Sequence, residues 1–322
     1  MIVFTVFVLM AGLYPAVADP NPSSWENWKT NFDLISVPPH EIQSGGPSKD
    51  GIPSIDKPKF SVVGEVNNIG ENEPVIGLEI DGDARAYPLS VLMWHEIAND
   101  VVGGIPVAVT YCPLCNAAIV FDARYEGKKL DFGTTGRLRH SDLLMYDRQT
   151  ESWWQQFSGE AIIGDLLGAR LDILPSRLES FGNFKKRHPK AKILVPNNPG
   201  FRRYGQNPYV GYDTLDRPFL YGGPLPEDFP AMARVVVVRQ DSGPPIILSM
   251  QGLRKSGTRS IGGHEFSWSN GQASALDSRD ISAGRDVGNV TVINLKNGED
   301  VAYDVTFAFV AHAFHPEVSI LE

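Results

Sequence analysis

Cysteine is nearly missing from this chain: only Cys112 and Cys115 occur among 322 residues. Two cysteines cannot build the disulfide network of a small secreted domain, and a chain of this length does not need one. Positive charge is also scarce. Asp and Glu number 38 against 29 Lys and Arg, for a formal net charge of −9. That balance argues against nucleic acid as a partner, because phosphate recognition needs basic patches. The nucleophile elbow G-x-S-x-G and the Walker loop are both absent, and Gly262-Gly263-His264 lacks the strand-to-helix setting of a dinucleotide site. Low-complexity tracts and heptads are lacking as well. What is present is a hydrophobic fraction of 42% with 10% aromatics, enough for a buried core, and 31 Gly with 24 Pro, enough for many turns.

The apolar stretch 2–13 is twelve residues long, too short for a bilayer span of ~20 residues and suited to the hydrophobic region of a secretory signal. Ala16-Val17-Ala18 places small residues at the −3 and −1 positions of a cut before Asp19. The segment departs from a standard signal in having no Lys or Arg before its apolar run. The expectation is a signal peptide over 1–18, cleaved after Ala18, and an exported protein, periplasmic or extracellular. The mature chain then has no transmembrane segment; left uncleaved, the segment is an anchor.

Residues 19–59 are rich in Pro, Gly, Ser and Asn and read as an extended arm, with one short helix around 25–34. A single β-rich domain is expected over 60–322. It divides into similar halves, 60–195 and 231–322, joined by a wrapping connector, 196–230. Turn residues separate closely spaced β-branched and aromatic runs throughout, the mark of β-meanders. The fold class is therefore mainly β (α+β): antiparallel meanders in two similar halves with a few short helices. Asp81-Gly82-Asp83 signals one hairpin, and residues 88–92 suit a single helical turn. Gly103-Gly104 between β-branched runs signals another hairpin. Its register pairs residues whose numbers add to 207, so that Val102 faces Ile105 and His95 faces Cys112. A longer helix is expected after Pro175, capped by Ser176 with Glu179 and ended by His188-Pro189. A strand is expected over 305–314. As an internal repeat, 75–92 can be laid against 235–253, and 120–133 resembles 275–288.

Thr110-Tyr111-Cys112-Pro113-Leu114-Cys115-Asn116 is the strongest chemical signal. A C-x-x-C closing an apolar strand presents both sulfurs at one turn, and Pro113 stiffens that turn. Such a pair can bind a soft metal as thiolates, cycle with a disulfide, or staple the turn. A four-cysteine zinc site is impossible, so a metal needs histidine or carboxylate partners. His95 is the first choice by register. His315, in the H-x-x-H formed with His312, is the second. His140 precedes Ser141-Asp142 in a loop. Asp131, Asp142, Asp147 and Glu151 are too dispersed to argue a carboxylate pair. Trp153-Trp154 reads as core.

Further segments complete a pattern. They are Gly45-Gly46-Pro47-Ser48-Lys49-Asp50-Gly51-Ile52-Pro53, Trp94-His95-Glu96-Ile97-Ala98-Asn99-Asp100, Leu143-Leu144-Met145-Tyr146-Asp147-Arg148 and Phe314-His315-Pro316. With the Cys-Pro-Leu-Cys segment, they resemble the bacterial and archaeal family catalogued as domain of unknown function 3179. The resemblance covers the chain from Gly45 to its end. It implies an exported or membrane-associated protein with that segment as hallmark, and no particular activity. His95, Cys112, Cys115 and His315 fall on its motifs. His140 departs from it, standing where asparagine is expected.

Three functions are consistent with these residues. The leading one is an exported protein binding a soft transition metal, copper ahead of zinc, through Cys112, Cys115, His95 and His315, for storage, delivery or redox use. The second is a thiol-disulfide oxidoreductase with Cys112 or Cys115 as the attacking thiolate. The third is a non-enzymatic scaffold or binding module stapled by a disulfide.

Overall fold

A computed structural model describes residues 28–240 and 242–322. The signal peptide expected over 1–18, with its expected cleavage position, lies outside the described residues. Of the helix expected over 25–34, only 28–34 is described, and it holds a turn.

Strand β1 (Ile42–Ser44) comes from the arm and β2 (Lys59–Val62) follows it. The first half continues with β3 (Pro74–Ile80), β4 (Asp83–Pro88), the single turn α1 (Leu89–Leu92), β5 (Ile97–Val102), β6 (Ile105–Cys112) and β7 (Ala117–Asp122). A short ribbon, β8 (Arg124–Tyr125) and β9 (Lys128–Lys129), leads to β10 (Phe132–Arg139), β11 (Asp142–Asp147), β12 (Trp153–Gln155) and β13 (Glu160–Ile163). Then come β14 (Arg177–Ser180), α2 (Phe181–Arg187) and β15 (Lys192–Val195). The second half has β16 (Arg234–Val238), β17 (Ile246–Ser249), α3 (Met250–Ser256), β18 (Thr258–Ile261), β19 (His264–Ser269), β20 (Asn289–Asn294), β21 (Tyr303–Phe307) and α4 (Ala308–Phe314). The protein is mainly β, with several antiparallel sheets and four short helices.

The halves repeat one order of elements. In each, a central strand is flanked by two antiparallel neighbours, and each neighbour runs straight into a helix. In the first half β3 lies between β4, which enters α1, and β14, which enters α2. In the second β16 lies between β17, which enters α3, and β21, which enters α4. A three-stranded meander follows in both, β5-β6-β7 and β18-β19-β20. Each meander opens on a Gly-Gly hairpin whose two glycines have positive φ, 53° and 81° at Gly103-Gly104 and 58° and 80° at Gly262-Gly263. A two-residue turn of this hand needs that backbone at both positions. The first half alone inserts a sheet, β1-β10-β11-β12-β13, between its meander and its last strand. The aligned pair 75–92 and 235–253 thus coincides in structure. The pair 120–133 and 275–288 does not, because 120–122 belongs to β7 while 275–288 lies in the long β19–β20 loop.

Two local expectations change. The helix after Pro175 starts four residues late, because Arg177–Ser180 pairs with β3 from Gly77 to Pro74. Sheet pairing overrides the local cap signal, and Ser180, not Ser176, caps α2 by accepting from Asn183 N. His188 ends that helix as expected. The strand expected over 305–314 stops at Phe307, and Ala308–Phe314 is helical. A continuous apolar run carries no period to separate strand from helix, and its alanines favour helix.

One apolar cluster spans both halves, including Leu78 and Leu92 with Val236, Leu253 and Phe309. From residue 28 the arm packs Trp28 edge-on to Tyr146 and Trp153, each at 4.9 Å between centroids. Tyr204, Tyr209, Leu220 and Tyr221 of the connector pack on the central cluster. No helix among the described residues is long and apolar enough to cross a membrane.

Candidate metal centre at the Cys-Pro-Leu-Cys turn

Strand β6 ends at Cys112 and β7 begins at Ala117, and these two residues face each other. The four residues between them form a turn closed by Cys115 N to Cys112 O at 3.2 Å and Asn116 N to Pro113 O at 3.2 Å. Asn116 takes the left-handed backbone (φ 53°) that returns the chain, and its Nδ2 donates to Val305 O at 3.0 Å. The rest of the fold holds the turn from several sides. Thr306 Oγ1 donates to Cys115 O at 2.7 Å, and Tyr212 OH from the connector donates to Leu114 O at 3.0 Å. Gln156 Nε2 donates to Thr110 Oγ1 at 2.9 Å.

The inserted sheet brings the third component. The β10–β11 hairpin turns on His140 and Ser141, with φ of 57° and 63°. Two successive non-glycine residues in this region are uncommon and strained. The asparagine expected at His140 is a residue that tolerates this backbone. The turn aims the Ser141 carbonyl at the cysteines, which donate to it from Sγ at 3.6 Å for Cys112 and 3.4 Å for Cys115. Asp142 follows at the start of β11. Its Oδ2 accepts from Gln155 Nε2 at 2.6 Å and Phe157 N at 2.8 Å, while its buried Oδ1 has no partner. The two sulfurs are 3.2 Å apart. Ligand atoms of Cys112, Cys115 and Asp142 lie within 4.8 Å of one another, and all three residues are buried.

The setting disfavours negative charge. Burial pushes the Cys112 thiol up, and it pushes Cys115 well up, with the neighbouring Cys112 and Asp142 acting in the same direction. Burial also raises Asp142 to about 6, against the hydrogen bonds from Gln155 and Phe157. Glu96, just before β5, is raised to about 8 by burial and by the charge of Asp142. Cys112, Cys115 and Asp142 are buried together, and their side-chain hydrogen bonds run to Ser141 O, Gln155 Nε2 and Phe157 N. Ligation by thiols raised in this way would require loss of their protons, so ion binding here would be coupled to pH.

The two cysteines are thus joined by Asp142 and, among the described residues, by no histidine within ligand distance of all three. The hairpin register holds as the Gly-Gly turn predicts, from Val102↔Ile105 to Ile97↔Thr110. It stops there because Glu96 turns left-handed (φ 59°). His95 instead hydrogen-bonds Pro53 O through Nδ1 at 2.7 Å and Tyr204 OH through Nε2 at 2.8 Å. His315 is the C-cap of α4, its ring 6.4 Å from that of Phe157. His140 lies 3.5 Å from Glu41, and burial and Arg139 lower it to about 4. Trp153 and Trp154 are core residues. Sequence reasoning passed over Asp142 as one of several scattered carboxylates, because its approach depends on a hairpin that starts seventeen residues after Cys115. The available signal was its place after His140-Ser141, a turn with no glycine.

A chain with this turn, this inserted hairpin and the ordered motifs around them belongs to the family described as protein of unknown function DUF3179, whose model matches residues 49–318. Comparison with curated proteins and with solved structures returned no significant match.

Proposed function

We propose that this protein binds one transition-metal ion through Cys112 Sγ, Cys115 Sγ and a carboxylate oxygen of Asp142. The observation that carries this reading is the unpartnered Asp142 Oδ1, buried beside two free thiols in contact. Two sulfurs draw soft and borderline ions, zinc and copper first among them. An oxygen donor in place of the imidazoles expected from sequence moves the preference towards zinc, which accepts carboxylate oxygen readily. The apolar stretch 2–13 and the small residues before Asp19 support action outside the cytoplasm. Untagged protein purified without chelators is expected to carry close to one equivalent of metal. Cys112→Ser is expected to abolish that metal and Asp142→Asn to weaken binding by tenfold or more. Equal metal content in the wild type and Cys112→Ser would overturn the proposal.

The 3.2 Å sulfur contact supports a second reading, a dithiol that closes to a disulfide. Metal-free wild type that cycles reversibly against dithiothreitol, with no metal retained, would favour it.

A further inference from the structure

The three donors above leave a tetrahedral ion one position short. The Ser141 carbonyl oxygen lies 3.6 Å from Cys112 Sγ and 3.4 Å from Cys115 Sγ, and the sulfurs are 3.2 Å apart. Around a tetrahedral ion with sulfur at ~2.3 Å and oxygen at ~2.1 Å, each sulfur-to-oxygen edge is ~3.6 Å and the sulfur-to-sulfur edge is ~3.8 Å. Both sulfur-to-oxygen edges are therefore already close to their ligating length. Only the sulfurs have to part, by about half an ångström.

The oxygen has no place in the sheet. The β10–β11 ladder ends at Arg139↔Asp142, which leaves the Ser141 carbonyl outside it. Its two donors are thiols, which are weak ones. Ligation removes both of their protons. The carbonyl would then face two thiolates across 3.4 and 3.6 Å, a buried acceptor turned towards negative charge. A cation between the three atoms turns that repulsion into attraction. The backbone supports the same reading. His140 and Ser141 hold successive left-handed conformations, with φ of 57° and 63° and no glycine, and strain of this kind collects at functional sites. Ser141 is buried, and its Oγ donates to Phe219 O at 2.7 Å, which anchors the turn to the connector.

We propose that the main-chain carbonyl of Ser141 is the fourth ligand, completing a site of two sulfurs and two oxygens with Cys112, Cys115 and Asp142. This rests on the metal reading of those three side chains. Four protein donors leave no position for water, so the ion is enclosed as in a structural site and not open to substrate. Two thiolates and one carboxylate are three monoanions, and the carbonyl adds no charge. A divalent ion leaves one negative charge uncompensated in the core, whereas copper(I) leaves two, at a higher cost. A second oxygen donor also suits a borderline ion better than a soft one. The site therefore selects zinc or another divalent borderline ion over copper(I).

The test is a crystal structure of the full chain loaded with Zn2+, the ion located by anomalous scattering at the zinc edge. Ser141 O is expected within ~2.3 Å of the ion, beside both sulfurs and an Asp142 oxygen. Zinc on the two sulfurs and Asp142, with Ser141 O beyond ~3 Å or a water in its place, would overturn the role of Ser141 and leave the three-donor site standing. Wild type that binds Zn2+ no better than Cys112→Ser in competition with a chelator would overturn both. The same competition adds a solution measurement with Ser141→Val and Ser141→Gly. A β-branched residue is an outlier at positive φ, so Ser141→Val has to turn its carbonyl away, and it is expected to bind Zn2+ at least tenfold more weakly than the wild type. A metal-free circular dichroism spectrum matching that of the wild type verifies its folding. Ser141→Gly can keep the backbone conformation and loses the Oγ anchor, and it is expected to bind Zn2+ more tightly than Ser141→Val. Equal Zn2+ affinity in Ser141→Val and the wild type would overturn the role of the carbonyl.

Discussion

At the residue scale, the site depends on backbone conformations that side chains rarely choose. Glu96, Asn116, His140 and Ser141 all have positive φ; Asn116 follows Cys115 directly, and the Ser141 carbonyl accepts from both thiols. Asn116 shows how such a position is held. It accepts the left-handed turn with little strain and also ties the turn to β21 through Val305 O. Replacing it with alanine loses both features, for a destabilisation of about 2 kcal/mol. Glycine restores the backbone freedom and loses only the hydrogen bond, for about 1 kcal/mol. Urea denaturation of the two variants is expected to rank them in that order, and equal midpoints would show that Asn116 is not strained.

At the element scale, the hairpin that ends in Cys112 is set by its own turn. Gly103 needs glycine twice over: φ is positive, and a Cβ there would lie 2.4 Å from the Ile80 carbonyl oxygen. Gly104 needs it once, since a Cβ would meet nothing within 4 Å. Gly103→Ala is therefore expected to cost more than Gly104→Ala, whose cost is about 1 kcal/mol from backbone strain alone. Thermal unfolding of both variants checks the ranking. The loss in Gly103→Ala should also reach the thiols, because β6 carries the turn that holds them. The same hairpin in the second half, at Gly262-Gly263, has no cysteine at its far end, so the repeated element provides the framework and only the first copy bears the chemistry.

At the scale of the whole molecule, the connector reaches both halves, the first through Tyr212 OH to Leu114 O and the second through Asp213. Its Asp213 is buried among Arg234 of β16, Ser274 and Arg285, with contacts of 2.7, 2.6 and 2.9 Å. Burial alone would raise the Asp213 carboxyl, but these partners outweigh it and hold it below the ordinary aspartate range. In the unfolded chain Asp213 takes up its proton first as pH falls. Its contribution is therefore fully present above about pH 4 and is lost as pH drops through the lower, folded value. Asp213→Asn leaves the buried Arg234 unpaired and is expected to cost about 3–5 kcal/mol near neutral pH. Its acid-unfolding curve should be flatter than that of the wild type below pH 4. Parallel curves would remove Asp213 as a source of acid sensitivity.

Local chemistry made the turns, the β-rich class and the cysteine pair legible in the linear sequence. Gly-Gly and Asp-Gly turns carry their backbone requirement in the residues themselves, and the register from Val102↔Ile105 to Ile97↔Thr110 follows from one such turn. The two strands about a turn shared by 75–92 and 235–253 were legible for the same reason, whereas the helix α3 that follows in the second half was not. Only the tertiary structure decided the company the cysteines keep. His95 lost its place opposite Cys112 to a single left-handed residue, and Asp142 gained one through a hairpin inserted from a different sheet. Strand pairing over long separations also overrode the cap signal at Ser176, turning 177–180 into β14. The sequence alone determined which groups could react and which turns could form. The packing of distant strands, which no local pattern encodes, determined that the two thiols meet the carboxyl of Asp142 and, among the described residues, form no such group with a histidine.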